Sequence, residues 1–178
     1  FALTLYDKRH HPPGLFNVSV AMMGHLQDAF RNGNRKAVTG YGLALRGLLA
    51  KPVWAAVLRR ITAVRLGNAE DFLAYRKAEI GRLRQRLAQE KLTGHQFHAL
   101  RKIVSRQGAF YNNLLTLAPS EHHYKMTRFL AAINGLMGSR HDEMVEQALT
   151  GERPYRTPEK LDADLRQRLE QLVARYPL

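Results

Sequence analysis

The sequence predicts an all-α protein: two similar antiparallel helical hairpins or bundles related by a pseudo-twofold axis, followed by a C-terminal amphipathic helix. Three observations lead to that expectation. Apolar residues recur at helical spacing from about residue 15 onward, and strand-like alternation is confined to the first few positions. Breakers punctuate the pattern at Asn32-Gly33-Asn34, Pro52 and Pro119-Ser120. Several residues also recur at an offset of 70 or 71.

Residues 1–14, FALTLYDKRHHPPG, read as irregular, with a short strand before Pro12 and Pro13. Helices are expected at 15–31, 35–50, 53–66, 69–90, 95–117, 121–137, 140–150 and 158–176. Residues 15–90 would form a first helical half and 91–150 a second, with 151–178 supplying a proline-containing linker and the last helix. In that helix Leu161, Leu165, Leu169 and Leu172 fall on one face, which must pack on the body or on a partner. In RKAEIGRLRQRL, residues 76–87, Ile80, Leu83 and Leu87 pack while Arg82, Arg84 and Arg86 point in different directions into solvent. Trp54 reads as core.

At the 70-residue offset His25 falls on His95, Arg31 on Arg101, Lys36 on Arg106 and Tyr41 on Tyr111. One residue further on, Gly67 falls on Gly138 and Asp71 on Asp142. This suggests a duplicated helical unit. The recurring Gly-[Asn/Ser]-x-x-Asp has a structural reading in which glycine ends one helix at a left-handed position. Asn68 or Ser139 then caps the next, with Asp71 or Asp142 as the reciprocal partner. In the first copy, Asn32-Gly33-Asn34 interrupts what is continuous in the second.

The 178 residues carry 28 Lys+Arg and 15 Asp+Glu, a formal charge of +13. Residues 1–140 hold 22 basic and 7 acidic side chains, so the excess sits in the body of the chain. Such a field attracts polyanions: nucleic acid, an anionic membrane or a phosphate polymer. The absence of cysteine excludes disulfides and thiolate metal sites and is compatible with a reducing compartment. Arg46, Lys51 and Pro52 interrupt LALRGLLAKPVWAAVL, so no transmembrane helix is expected. No signal peptide is read. The opening on Phe1 leaves room for a preceding segment.

The richest stretch is GHQFHALRKIVSRQ, residues 94–107. On a helix, His95, His98, Lys102 and Arg106 form one polar stripe of about 16 Å with Arg101 beside it. Phe97, Leu100, Val104 and Tyr111 form the opposite, core-facing stripe, flanked by Ile103 and Phe110. A metal would need further ligands and would be repelled by Lys102 and Arg106. A catalytic base would need an orienting carboxylate and a nucleophile, and no enzyme motif is present. An ordinary solvated helix face remains an alternative. A polyanion groove fits the residue types best, since arginine and lysine grip phosphate oxygens and histidine adds donors. Arg31, Arg35, Lys36, Arg59, Arg60, Lys125 and Arg128 on other helices could be pooled with it. Aromatic side chains do not interleave with the stripe, which weighs against base stacking on a single strand.

His98-Ala-Leu-Arg101-Lys102, with Leu136-Met-Gly138-Ser-Arg-His141-Asp142 later in the chain, resembles the conserved-histidine α-helical domain family, CHAD. Arg65-Leu66-Gly67-Asn-Ala-Glu-Asp71 resembles a first-half copy of the latter motif. The chain departs from the family pattern in not having the first-half histidine at the expected place, in carrying Ser105 and Gly108 at places that tend to be basic, and in its shorter length. The resemblance implies two helical bundles and a non-catalytic module, without cofactor or metal, that binds inorganic polyphosphate between its halves. On that reading the binding residues are His98, Arg101, Lys102, Arg106 and His95, with His25, Arg31, Arg35, Lys36, Arg59, Lys125 and Arg128. It further implies a cytoplasmic location at polyphosphate granules, no membrane partner, and a fused or associated triphosphate-processing domain. The alternative function is nucleic-acid binding through backbone contacts.

Overall fold

The structure, a computed structural model, describes residues 7, 8, 10 and 13–176. The segment expected to hold a short strand before Pro12 lies largely outside these residues. The protein is 77% helical, with seven helices and one two-strand sheet among the described residues. It is therefore all-α. The helices are α1 (Gly14–Arg31), α2 (Arg35–Leu48), α3 (Lys51–Thr62), α4 (Ala69–Leu87), α5 (Gly94–Leu117), α6 (Glu121–Leu149) and α7 (Ala163–Arg175). Strands β1 (Lys91–Leu92) and β2 (Glu159–Lys160) pair antiparallel, Lys91 opposite Lys160 and Leu92 opposite Glu159.

Local chemistry explains most of the boundaries. Gly33, at φ +65°, takes the left-handed turn between α1 and α2. The Asn34 side chain then caps α2, accepting from the Ala37 amide at 3.1 Å. At the start of α4, Asn68 Oδ1 accepts from the Asp71 amide at 2.7 Å, while Asp71 Oδ2 accepts from the Asn68 amide at 3.4 Å. This is the reciprocal box expected there. Thr93 and Gln96 form a second such box at α5. Ser120 caps α6 by accepting from the His123 amide at 3.1 Å.

Two expectations are corrected. The chain does not stop at Gly138: α6 runs unbroken from Glu121 to Leu149, merging the helices expected at 121–137 and 140–150. A glycine ends a helix where the following backbone turns left-handed, and Gly138 keeps a negative φ within the ladder. The last helix begins at Ala163, capped by Asp162, because residues 159–160 pair with β1 instead.

The apparent repeat is not a repeat of local structure either. Residues 25–45 contain a turn between two helices, whereas 95–115 lie inside one helix. Residues 66–71 enter a helix, whereas 137–142 lie in the middle of one.

The chain divides into two compact units, Phe1–Phe72 and Leu73–Leu178. The boundary falls inside α4 and not at residue 90, because Ile80, Leu83 and Leu87 belong to the second unit's core. In the first unit α1 and α2 form a hairpin. Lys8 meets Asp71 at 3.8 Å, and Asp7 bridges to Leu66. Trp54, on α3, is half-buried.

The second unit holds a continuous hydrophobic core. Its centre is the α5–α6 hairpin, with Phe97, Leu100, Ile103, Val104 and Tyr111 buried from α5 and Leu130, Ile133 and Met137 from α6. Leu165, Leu169 and Leu172 of α7 complete it, with Leu161 packed at its edge. Among the described residues no single helix is long and apolar enough to cross a membrane; α2 and α3 meet that test only as a pair bent by 66°.

A histidine and arginine cluster on the α5–α6 hairpin

Opposed residues of α5 and α6 step along the hairpin in a fixed antiparallel register. His98 faces His141, with ring centroids 4.9 Å apart. Arg101 faces Gly138, and Ser105 donates to Asn134 Oδ1 at 2.6 Å. At the N-terminal end of α5, the His95 ring meets Tyr155 edge-on at 4.9 Å, and Tyr155 also lies 6.1 Å from His141. Five side chains from three segments thus converge: His95, His98 and Arg101 from α5, His141 from α6, and Tyr155 from the 151–158 linker.

Two glycines make this approach feasible. A Cβ on Gly94 would lie 2.5 Å from the Tyr155 ring, and the Gly94 amide donates to the Tyr155 carbonyl at 2.9 Å. A Cβ on Gly138 would lie 3.3 Å from Arg101 Nη2. Gly138 therefore serves close packing of the guanidinium against α6, not helix termination.

The electrostatics are one-sided. Burial and the positive neighbours Lys102, His141, Arg101 and His95 hold His98 below the usual histidine range. Its Nδ1 is buried without a hydrogen-bond partner. Burial raises the Tyr155 phenol above its ordinary value, against a smaller opposing effect of Arg101. The nearest carboxylate contact is Asp142 Oδ1, 3.4 Å from His141 Nδ1 and itself well exposed. Neutral at pH 7, His98 offers one donor and one acceptor; a bound anion would favour its imidazolium. Among the described residues no group of three or more His, Cys, Asp or Glu could hold a metal.

The expected row does not survive intact. Arg106 turns away into an ion pair with Glu79, a carboxylate fully buried on α4. Its Nε lies 2.9 Å from Oε2 and 3.1 Å from Oε1, and Nη2 donates to Oε1 as well. Burial alone would lower the Arg106 pKa, but the hydrogen bonds and charge of Glu79 outweigh it and raise it. Arg106 is thus a structural arginine. Lys102 remains exposed beside Arg101.

Lys125 and Arg128 are exposed near the other end of α6; Lys125 meets Glu121 at 2.9 Å, and Arg128 reaches Tyr124. At 1.5 Å per residue, Arg128 is roughly 20 Å along the helix from His141. His25, Arg31, Arg35, Lys36 and Arg59 belong to the first unit, where they are exposed and His25 stacks on Tyr41 at 5.4 Å.

Sequence reasoning missed His141 and Tyr155 as members of the cluster. His141 lies within residues 137–142, whose Gly138-Ser-x-x-Asp142 pattern reads as a helix stop and so hides it. No pattern in GERPYRTP points to Tyr155.

No family model, curated protein or solved structure matches the chain.

Proposed function

We propose that this protein binds inorganic polyphosphate, without catalysis, on the α5–α6 face formed by His95, His98, Arg101, Lys102 and His141. The single observation behind this reading is the convergence of these cationic and titratable groups around a histidine held neutral by burial and positive neighbours. A linear anion laid along the hairpin would meet Arg101 and Lys102 first and recruit a proton to His98. The resemblance to CHAD supports the same ligand. Residence at polyphosphate granules and partnership with a triphosphate-processing domain are parts of the same proposal.

The test is a salt series of binding to polyphosphate, with duplex DNA and RNA as competitors at equal phosphate. With three or four contacts, affinity should fall roughly 50-fold between 50 and 200 mM salt. Arg101→Glu with Lys102→Glu should abolish binding while leaving the fold intact, since neither side chain is in the core. Retained binding by that double variant would remove the site. Displacement by DNA or RNA at equal phosphate would instead favour a nucleic-acid-binding protein, the second reading that the same charge supports.

A further inference from the structure

A second place in the Leu73–Leu178 unit combines charge with aromatic surface. Near the turn between α5 and α6, a cavity of about 660 Å³ opens between α4, the far end of α5, the start of α6 and the end of α7. That volume suits a small organic molecule. Four cations line it, Arg76, Lys77, Lys125 and Arg175, together with Tyr111 and Tyr176, and no carboxylate is among its lining residues.

The wall is preorganised. Arg76 is only 7% exposed. Its guanidinium lies 3.8 Å from the centre of the Phe110 ring, 4.9 Å from that of Tyr176 and 5.3 Å from that of Tyr111. Behind it, Gln107 Oε1 accepts from Arg76 Nε at 3.1 Å, from Arg76 Nη2 at 2.9 Å and from the Tyr176 hydroxyl at 2.9 Å. One buried amide therefore fixes both a cation and an aromatic ring of the cavity. Its own Nε2 is a buried donor without a partner.

We infer that this cavity binds a small amphiphilic organic anion, with a ring or short apolar group against Tyr111 and Tyr176 and a phosphate or carboxylate toward Lys77 and Arg175. A bare inorganic chain would leave the aromatic wall unused, and a neutral ring would make no use of the charges of Lys77 and Arg175. Tyr111 lies roughly 20 Å along α5 from His98 at 1.5 Å per residue, so this site and the histidine cluster are separate.

Titration calorimetry of the full chain with 1-naphthyl phosphate, 1-naphthol and inorganic phosphate tests the inference. One saturable site for 1-naphthyl phosphate is expected, with each of the other two at least tenfold weaker. Leu73→Trp, at the exposed rim of the cavity, should block it sterically, and Lys77→Glu should weaken it tenfold or more. Both changes are at exposed positions, and retained helicity by circular dichroism confirms the fold. The Arg101→Glu, Lys102→Glu variant should bind 1-naphthyl phosphate as the parent does, which separates this site from the polyphosphate reading. Equal binding of inorganic phosphate, loss of binding in that double variant, or no saturation at millimolar probe would each overturn the assignment.

Discussion

The rings of His98 and His141, from two different helices, lie with centroids 4.9 Å apart, and Nδ1 of His98 is buried without a partner. Burial first, and then the charges of Lys102 and its neighbours, disfavour the imidazolium of His98. The folded pKa of His98 is therefore below its unfolded value of about 6.5. Its share of native stability is complete above that value and is lost as pH falls through the folded pKa. Polyphosphate should reverse this by favouring the imidazolium. An NMR titration of His98 should move upward in pH when polyphosphate is added, and partly upward in His141→Gln. A titration unmoved by the ligand would place the anion elsewhere.

The buried Glu79–Arg106 pair gives a contrasting expectation. Arg106→Leu leaves the buried Glu79 carboxylate to weaker contacts such as Arg82 at 3.5 Å and should cost about 3–5 kcal/mol in urea unfolding. Adding Glu79→Gln should recover part of that loss. Polyphosphate affinity of the folded fraction should stay near the parent's, because Arg106 faces Glu79. A variant that unfolds like the parent but binds poorly would return Arg106 to the ligand row.

Gly94 is where backbone meets ring. Gly94→Ala brings a Cβ to 2.5 Å from Tyr155, a contact that forces the linker outward. A loss of about 1–3 kcal/mol is expected, together with a downward shift of the Tyr155 phenol as burial is relieved, read by ultraviolet titration. An alanine variant as stable as the parent would mean that Tyr155 does not pack there.

Gly138 should behave in the opposite way. Alanine there improves helix propensity by up to about 1 kcal/mol. The neighbour that must yield is the end of a flexible Arg101 side chain, 3.3 Å from the new Cβ. Thermal stability should rise while polyphosphate affinity falls two- to threefold. A fall in stability would show that Arg101 is held more rigidly than its contacts imply.

The helical class was legible because apolar spacing and polar caps act locally: the Asn68–Asp71 box and the Ser120 cap form as their residue types dictate. The α5 core stripe and the leucine face of α7 were legible for the same reason. What misled was glycine. At Gly33 it turns the chain, but at Gly138 it makes room for a guanidinium, and only tertiary contact separates the two uses. Arg106 was misplaced because helical spacing gives direction but not what stands opposite, here Glu79 from α4. Tyr155 joins the cluster through linker geometry that no short spacing encodes.

The last helix holds more than apolar surface. Arg166 donates to the carbonyls of Leu87 at 2.7 Å, Gln89 at 3.0 Å and Glu90 at 3.3 Å, closing the end of α4. Those carbonyls precede it by more than 70 positions. On the ribosome, α4 and the α5–α6 hairpin emerge well before the side chain that ties off α4 has been made. The second unit therefore waits for α7 to be synthesised, and nascent chains lacking α7 should remain protease-sensitive between residues 87 and 91.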